Sequence, residues 1–474
     1  MITRRGLFRL GAAVGAAATA AKSFAARVQR LGFVAQTKTV GAAESLQEKI
    51  LLKDDARYEV ERKRATWNAR KPNRYPNAIV LAENEQDVIA AVKLAKQRGW
   101  QVTARSGGHS FTGSHTRDNA VMINISKMKE LTVDAKNRVA TASPAWFGDQ
   151  LNKVLEKDQL IFPTAHDPGV GIGGFVMCGG HSTVSRMYGP ACANLKAADI
   201  VTADGELIHA DDHQNPDYFW ALRGAGPGFF GVAVRYYLNL HPLPTVRKTS
   251  VWTFDSDHLD DIVLWLSKTQ NSFPKYMETV FVSNLADGNP NHVLSASVHA
   301  FSEKEAADGL RMMESCPVLD KAKSKRLEMP YRPPIMPALR IVIDGLWSSA
   351  PGEKILAAGR DAFVSLPTPQ SFMLWLHWGP VQKLPDMAYS LQGDIYLSPN
   401  AMCQDAKDDE RCAAWSADVM AKLKPVSLGS QMNDENMPMN KGPYLSKQAA
   451  SRLETMRKKY DPENRFAGYL TVRR

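Results

Sequence analysis

The chain has 474 residues, 44% hydrophobic and 23% charged, with 59 Lys and Arg against 49 Asp and Glu and a formal charge of +10. That length predicts about two or three domains, and the apolar share excludes wholesale disorder and the collagen-like and coiled-coil classes. Four of the ten excess positive charges (Arg4, Arg5, Arg9, Lys22) fall in residues 1–26, and no basic block follows, which argues against a nucleic-acid partner.

Residues 1–26 have the build of an export signal: adjacent Arg4 and Arg5, an apolar run from Leu10 to Ala21, then small residues with possible cleavage sites. The paired arginines resemble a twin-arginine signal, which implies the twin-arginine machinery as a transit partner and a periplasmic or secreted destination. A mitochondrial transit peptide is the rival reading. No later stretch reaches 18 apolar residues, so no transmembrane helix is expected.

The body of the chain starts with alternating strands and helices. A strand is predicted over 78–81. A helix opens at Asn84, carries Val88, Ile89, Val92 and Ala95 on one face and ends near Gly99. Residues 101–105 form the next strand and pass at once into a glycine-rich turn. Strands at 121–125 and 139–142 and a helix over 146–158 precede a glycine-dense stretch, 162–189. Strands recur at 198–203 and 206–210, and a glycine-rich turn at 224–231 runs into a strand from Val232. Beyond about 245 the texture changes, with helices over 257–270 and 302–315 between alternating runs at 277–284 and 293–301. Residues 325–345, rich in proline and basic side chains, read as a long loop over a cleft. Alternation returns at 371–378 and 393–398, and 441–474 reads as a helix with an irregular tail. Five cysteines do not make a disulfide framework, although Cys403 and Cys412 leave one bridge open. No His/Cys cluster has zinc spacing, so no metal site is expected.

The chemistry concentrates in two glycine-rich segments. Residues 105–113 (RSGGHSFTG) end a strand in two glycines and a hydroxyl-bearing turn, which lets successive backbone N–H groups converge on an anion such as a pyrophosphate. Residues 169–174 (GVGIGG), Gly179-Gly180 and 186–189 (RMYG) crowd further glycines together, which implies close approach to something flat or anionic. No strand–turn–helix unit frames them as a dinucleotide fingerprint, and the P-loop ending is missing.

With 198–205 (ADIVTADG), 217–224 (DYFWALRG), 230–232 (FGV) and 460–466 (YDPENRF), these segments resemble in order and spacing the vanillyl-alcohol-oxidase/PCMH superfamily, in its berberine-bridge-enzyme-like branch. The resemblance is strong over about 70–240, moderate over about 371–474, and rests on length alone between them. It implies an α+β fold with a two-part PCMH-type FAD-binding domain (45–242), an α+β substrate domain with an antiparallel sheet (243–425), and a C-terminal segment (426–474) completing the FAD domain.

The resemblance implies FAD bound covalently through His109, with His115 and His181 as polar neighbours. The other implied contacts are Arg105, Ser106, Gly107, Gly108, Ser110 and Gly113, then Asp167, Gly171, Ile172, Gly173, Gly174, Gly179 and Gly180, then Tyr188, Gly189, Ile200, Val201, Phe230 and Val232. The cysteine that makes a second flavin link in many members is replaced by Asp167, so a single link is expected, and Cys178 reads as a small buried hydrophobe. Ile172 fills the position that stands beside the flavin where O2 reacts, and its bulk leans toward dehydrogenase behaviour.

On the substrate side, His377 and Tyr396 are candidate bases. Residues 375–378 alternate, so Trp375 and His377 share one face and Leu376 and Trp378 the other; which face meets the flavin stays open. Gln392 stands where the branch usually has an arginine. The tyrosine of the branch's Y-x-N motif is lost at Gln431, while Asn433 is kept as a candidate contact, and Asp434-Glu435 could supply a base. The expected activity takes a hydride from a CH–OH or CH–NH group of a small organic substrate to flavin N5 and passes electrons to O2 or another acceptor. The alternative is a non-catalytic flavin-loaded or ligand-binding exported protein.

Overall fold

The computed structural model describes residues 46–335, 337–434, 436–440 and 442–470, so the export signal expected over 1–26 lies outside the described residues. Residues 1–49 and 50–474 form two units, and the second carries every element described below.

The first sheet joins β1 (Ile50–Leu52), β2 (Ala78–Leu81), β3 (Gln101–Arg105) and β4 (Ala120–Asn124) in the order β1-β2-β4-β3. β2 and β3 both run parallel to β4, and β4 is buried along its whole length, as expected of a strand covered on both faces. The helix Glu85–Arg98 connects β2 to β3. The Asn84 side chain accepts the Asp87 N–H at 3.1 Å to start it, and Gly99 at φ 64° ends it.

The second sheet holds β5 (Leu131–Asp134), β6 (Val139–Ala142), β8 (Leu195–Val201), β9 (Leu207–Ala210) and β10 (Val232–Asn239), with β10 between β6 and β8. A two-strand pair, β7 (Leu160–Ile161) with β11 (His241–Pro242), lies beside it in sequence.

Nine strands make the third sheet: β12 (Val246–Asp255), β13 (Met277–Ala286), β14 (Asn289–Ala300), β15 (Ser324–Pro330), β16 (Arg340–Ile343), β17 (Leu346–Ser348), β18 (Phe372–His377), β19 (Ile395–Cys403) and β20 (Gly429–Ser430). Every pairing in it is antiparallel. The helices Leu259–Thr269, Glu303–Arg311, Gly352–Gly359 and Asp409–Leu423 pack on one face around Phe254, Phe281, Leu294 and Trp375, all completely buried. Each such side chain contributes on the order of 1.5–3 kcal/mol of burial free energy. The other face of this sheet is left for the cavity described below.

Three expectations change. The loop expected over 325–345 is about half strand, since β15 edges the sheet against β12 and β16 pairs with β19, with an irregular stretch between them. The segment from 426 begins as an edge strand, β20 on β17, before the chain returns to the first sheet. There Val102 N–H donates to the Arg465 carbonyl at 2.7 Å, and Ala467 N–H donates to Val102 at 3.1 Å. Cys403 and Cys412 pack in one apolar cluster as buried free thiols, without the disulfide left open.

Candidate active site

The two glycine-rich segments meet backbone to backbone. Gly107 sits so close to Gly171 that a Cβ on either would lie 2.7–2.9 Å from the other's main chain, and a Cβ on Gly173 would strike Ser106. No residue but glycine fits such contacts. Gly108, at φ 75°, tucks its Cα against the Ala65 carbonyl and lets the chain turn into His109. Gly174, in contrast, opens onto empty space. Together these residues floor a cavity of about 510 Å³.

His109 projects into that cavity. Its ring stacks on Trp67 at 4.4 Å and 13°, and Phe111 meets it edge-on at 5.6 Å. Nε2 is buried without a hydrogen-bond partner. Burial pushes the imidazole pKa down against the opposing charge of Asp167, so the ring is neutral and nucleophilic at pH 7. A tight glycine floor, an open space over Gly174 and a neutral unpartnered imidazole fit FAD. The chain would hold the cofactor with the loop from Arg105 to Ser110 and the glycines at 171, 173 and 174.

The facing wall is the free side of the large sheet with the segment after β20. The Tyr396 hydroxyl donates to Asp434 Oδ2 at 2.8 Å, and both residues line the cavity. Burial raises the Asp434 pKa, with the Tyr396 hydrogen bond and the charge of His166 opposing. Burial and Asp434 together push the Tyr396 phenol well above 10. His166 Nε2 lies 3.0 Å from Glu278 Oε1. Burial works against its charge, but the Glu278 carboxylate outweighs it and raises the His166 pKa. His181 is different: it pairs with the Tyr389 hydroxyl at 2.7 Å and the Gln431 side-chain amide at 3.1 Å, and burial holds it neutral with a pKa near about 3.

Of the sequence candidates, Arg105, Ser106, Gly107, Gly108, His109, Ser110, Asp167, Gly171, Gly173, Gly174, Val232, Tyr396 and Asn433 line this one cavity. Others support it from behind. Gly113 packs on Pro72 and Thr66, Gly179 faces the Tyr389 ring, and Gly180 N–H donates to Asn433 Oδ1 at 3.3 Å. Ile200 and Val201 are buried within β8, and Phe230 stacks on Tyr460 in a separate aromatic cluster. Tyr188 points away: its hydroxyl donates to the Pro242 carbonyl at 2.8 Å and its ring stacks on His241. Gly189 ends the short helix Ser185–Tyr188 beside it.

Three readings need correction. His377 does not reach the cavity. It shares the helix-covered face with Trp375, is completely buried, and meets Phe273 edge-on at 5.9 Å, so it cannot touch a substrate in the cavity. The face that looks into the cavity carries Leu374 and Leu376. Ile172 opens the helix Ile172–Met177, is 1% exposed and turns into the core, so its bulk does not face the cavity; Val170 does. Cys178 is half-buried and lines the cavity, where a small buried hydrophobe was expected. His115 also lines the cavity from below, with Nε2 3.2 Å from Thr66 Oγ1 and a pKa pushed down to about 3 by burial. Gln392 accepts from the Trp378 indole at 3.1 Å and so braces the wall. His166 and Glu278 carry no motif in the sequence. Among the described residues no group of three His, Cys, Asp or Glu could hold a metal, and no helix is long and apolar enough to cross a membrane.

Comparison with known proteins agrees with this geometry. A family model described as an FAD binding domain matches residues 76–211. FAD-linked oxidoreductase nodO of Hypoxylon pulicicidum is 31% identical over 417 residues, covering 85% of this chain and 92% of that protein. (R)-6-hydroxynicotine oxidase of Paenarthrobacter nicotinovorans is 31% identical over 200 residues, 42% of this chain and 43% of the enzyme. The solved structure of BBE-like 1 from Physcomitrella patens superposes with a TM-score of 0.79 over 90% of this chain and 98% of its own, at 16% identity. The chain therefore belongs to the FAD-linked oxidoreductases and is an FAD-dependent oxidoreductase, with the fold of the berberine-bridge-enzyme-like structure it superposes on.

Proposed function

We infer that the protein oxidises a CH–OH or CH–NH group of a small organic substrate held between the glycine floor and the large sheet. Bound FAD supplies the hydride acceptor at N5 and the route for electrons to O2 or another acceptor. The chain itself supplies position and a proton path. The Tyr396–Asp434 hydrogen bond inside the cavity carries this reading.

Because the Tyr396 phenol is held well above 10, the resting base is the Asp434 carboxylate. Tyr396 takes the substrate's O–H or N–H proton as it gives its own to Asp434. The upward shift of Asp434 brings its proton affinity nearer to working pH, as a general base requires. Glu278 raises the His166 pKa, and positive charge on His166 steadies the Asp434 carboxylate. The Asn433 amide bridges Gly180 N–H and the Phe175 carbonyl, and so holds the loop carrying Asp434 against the glycine segment.

Anaerobic bleaching of the flavin by substrate tests the base. Asp434→Asn should lower the bleaching rate by about 10²–10⁴-fold with flavin content unchanged. Wild-type activity should fall as pH drops through the raised Asp434 pKa, and the variant should lose that acid limb. A variant that bleaches as fast as wild type sinks the assignment.

The covalent link to His109 is part of the same proposal, supported by its neutral, unpartnered ring in the cavity. Export as a folded protein is the last part. It rests on the Arg4-Arg5 pair, and Arg4→Lys with Arg5→Lys should keep the yellow protein in the cytoplasm. Unchanged periplasmic yield would remove it.

A further inference from the structure

We propose that the substrate is a largely apolar alcohol or amine, anchored through one polar group and held along its hydrocarbon body by the free face of the large sheet. The proposal rests on the oxidation reading above and specifies what the same cavity admits. Cross-strand register defines the face row by row. In the first row Val280 lies opposite Leu376, Leu376 opposite Tyr396, and Tyr396 opposite Trp347. In the second, Val282 lies opposite Leu374, which lies opposite Ser398. In the third, Asn400 lies between Phe372 and Ile343.

Side chains alternate along a strand, so these positions look into the cavity while Phe281, Met373 and Trp375 look into the helix-covered core. No charged side chain stands among the positions of this face that line the cavity; Glu278, two residues before Val280 on the same face, is buried against His166. Tyr396, Ser398 and Asn400 on the face already have partners. Tyr396 is bonded to Asp434, the Ser398 hydroxyl donates to the Asp344 carbonyl at 2.6 Å, and the Asn400 amide donates to Ser398 O and Oγ at 3.1 and 3.0 Å. Asp434 and the charge of His166 stand by the Tyr396 hydroxyl, whereas the other charged lining residues, Arg105, Arg117 and Asp167, belong to the segments on the cofactor side.

A sugar carries a hydroxyl on nearly every carbon. Against this face most of them would exchange water for hydrocarbon, at a cost of roughly tenfold in affinity for each one left unpartnered. A hydrocarbon body gains instead, by about fourfold for each methylene removed from water. The face therefore selects for apolar bulk, and the Tyr396 end selects for one O–H or N–H.

The test uses the flavin-loaded protein with homologous secondary alcohols from 2-butanol to 2-decanol, the matching ketones, glucose and xylobiose. Bleaching of the flavin reads oxidation. Perturbation of its visible spectrum by the ketones, with equilibrium dialysis, reads binding alone. The expected result is ketone affinity rising about fourfold per methylene until the wall is filled, with glucose and xylobiose neither binding nor bleaching. Leu374→Asn and Val282→Asn should each flatten that rise; if Leu374→Asn loads no flavin, Leu374→Ala tests the same contact with a smaller loss. Bleaching by a sugar while the ketone series shows no gradient overturns the proposal and leaves the oxidation reading standing. A gradient with no bleaching by any alcohol upholds the proposal and counts against oxidation at this site. A gradient that survives unchanged in both Asn variants also overturns it, because the apolar contact then lies elsewhere.

Discussion

The two walls of the cavity are built in opposite ways. The floor comes from two contiguous stretches, around Gly107 and around Gly171, in which the backbone does the work and side chains are kept out. The facing wall comes from alternate residues on five strands, 277–286, 340–343, 346–348, 372–377 and 395–403, in which side chains do the work and the backbone is spent on sheet pairing. At Gly107 and Gly171 such a floor tolerates almost no substitution, because a Cβ there meets main chain. A wall of that kind can be re-lined one residue at a time without disturbing the ladder beneath it. The contrast places a shared cofactor on the rigid side and substrate choice on the side free to vary.

Substitutions can break or sharpen this contrast. The largest effect is expected on the floor. Gly107→Val puts a branched side chain into the Gly171 backbone, and near-complete loss of bound flavin should follow, read from the ratio of visible to ultraviolet absorbance. Retention of the yellow colour would mean that the two segments can part. Next comes His109→Ala. Wild-type protein precipitated in acid should keep flavin fluorescence on the peptide containing His109, and the variant should release all of it. Equal release from both would remove the covalent link.

The smallest effect is expected behind the wall. His377→Leu replaces a buried imidazole that does not reach the cavity, so turnover should stay within about twofold. Its pKa lies well below the ordinary histidine value because of burial, with Arg186 adding to the shift. A histidine buried neutral binds its proton more readily in the unfolded chain, so stability is full above about pH 6.5 and is lost as pH falls below it. Removing His377 should therefore reduce the acid dependence of the melting temperature, by up to about 1.4 kcal/mol per pH unit in that window. His115 and His181, pushed down to about 3, and His241, His292 and His299, pushed down to about 4, keep their share of the slope.

The difference between the walls also explains what could be read in the sequence. His109, Gly107 and Gly171 stand in unbroken motifs, and a glycine that cannot be replaced leaves a local mark. The sheet face leaves none, since period-two alternation identifies two faces and not which one is covered by helices. That is why His377 and Tyr396 looked equivalent, although one sits in the core and the other on the cavity. Asp434 reads in the sequence as one of two adjacent acids that could supply a base, and its burial is not legible there because it depends on β19 and on the glycine segment around Gly180, both far away in the chain. His166 and Glu278, 112 residues apart, come together only through the register of β13. Ile172 was misread for a local reason: the chain begins a helix there and turns the side chain inward.

The strand that leads to His109 has a late partner. Residues 465–467 clip onto Val102, and Arg465 reaches back to the carbonyls of Ala95 and Trp100 at 3.1 and 2.9 Å, while Phe466 and Ala467 close part of the cavity. A ribosome makes these residues more than 350 positions after His109. The half-made polypeptide therefore has the histidine and the glycine floor but not the finished chamber, which waits for residues 465–467.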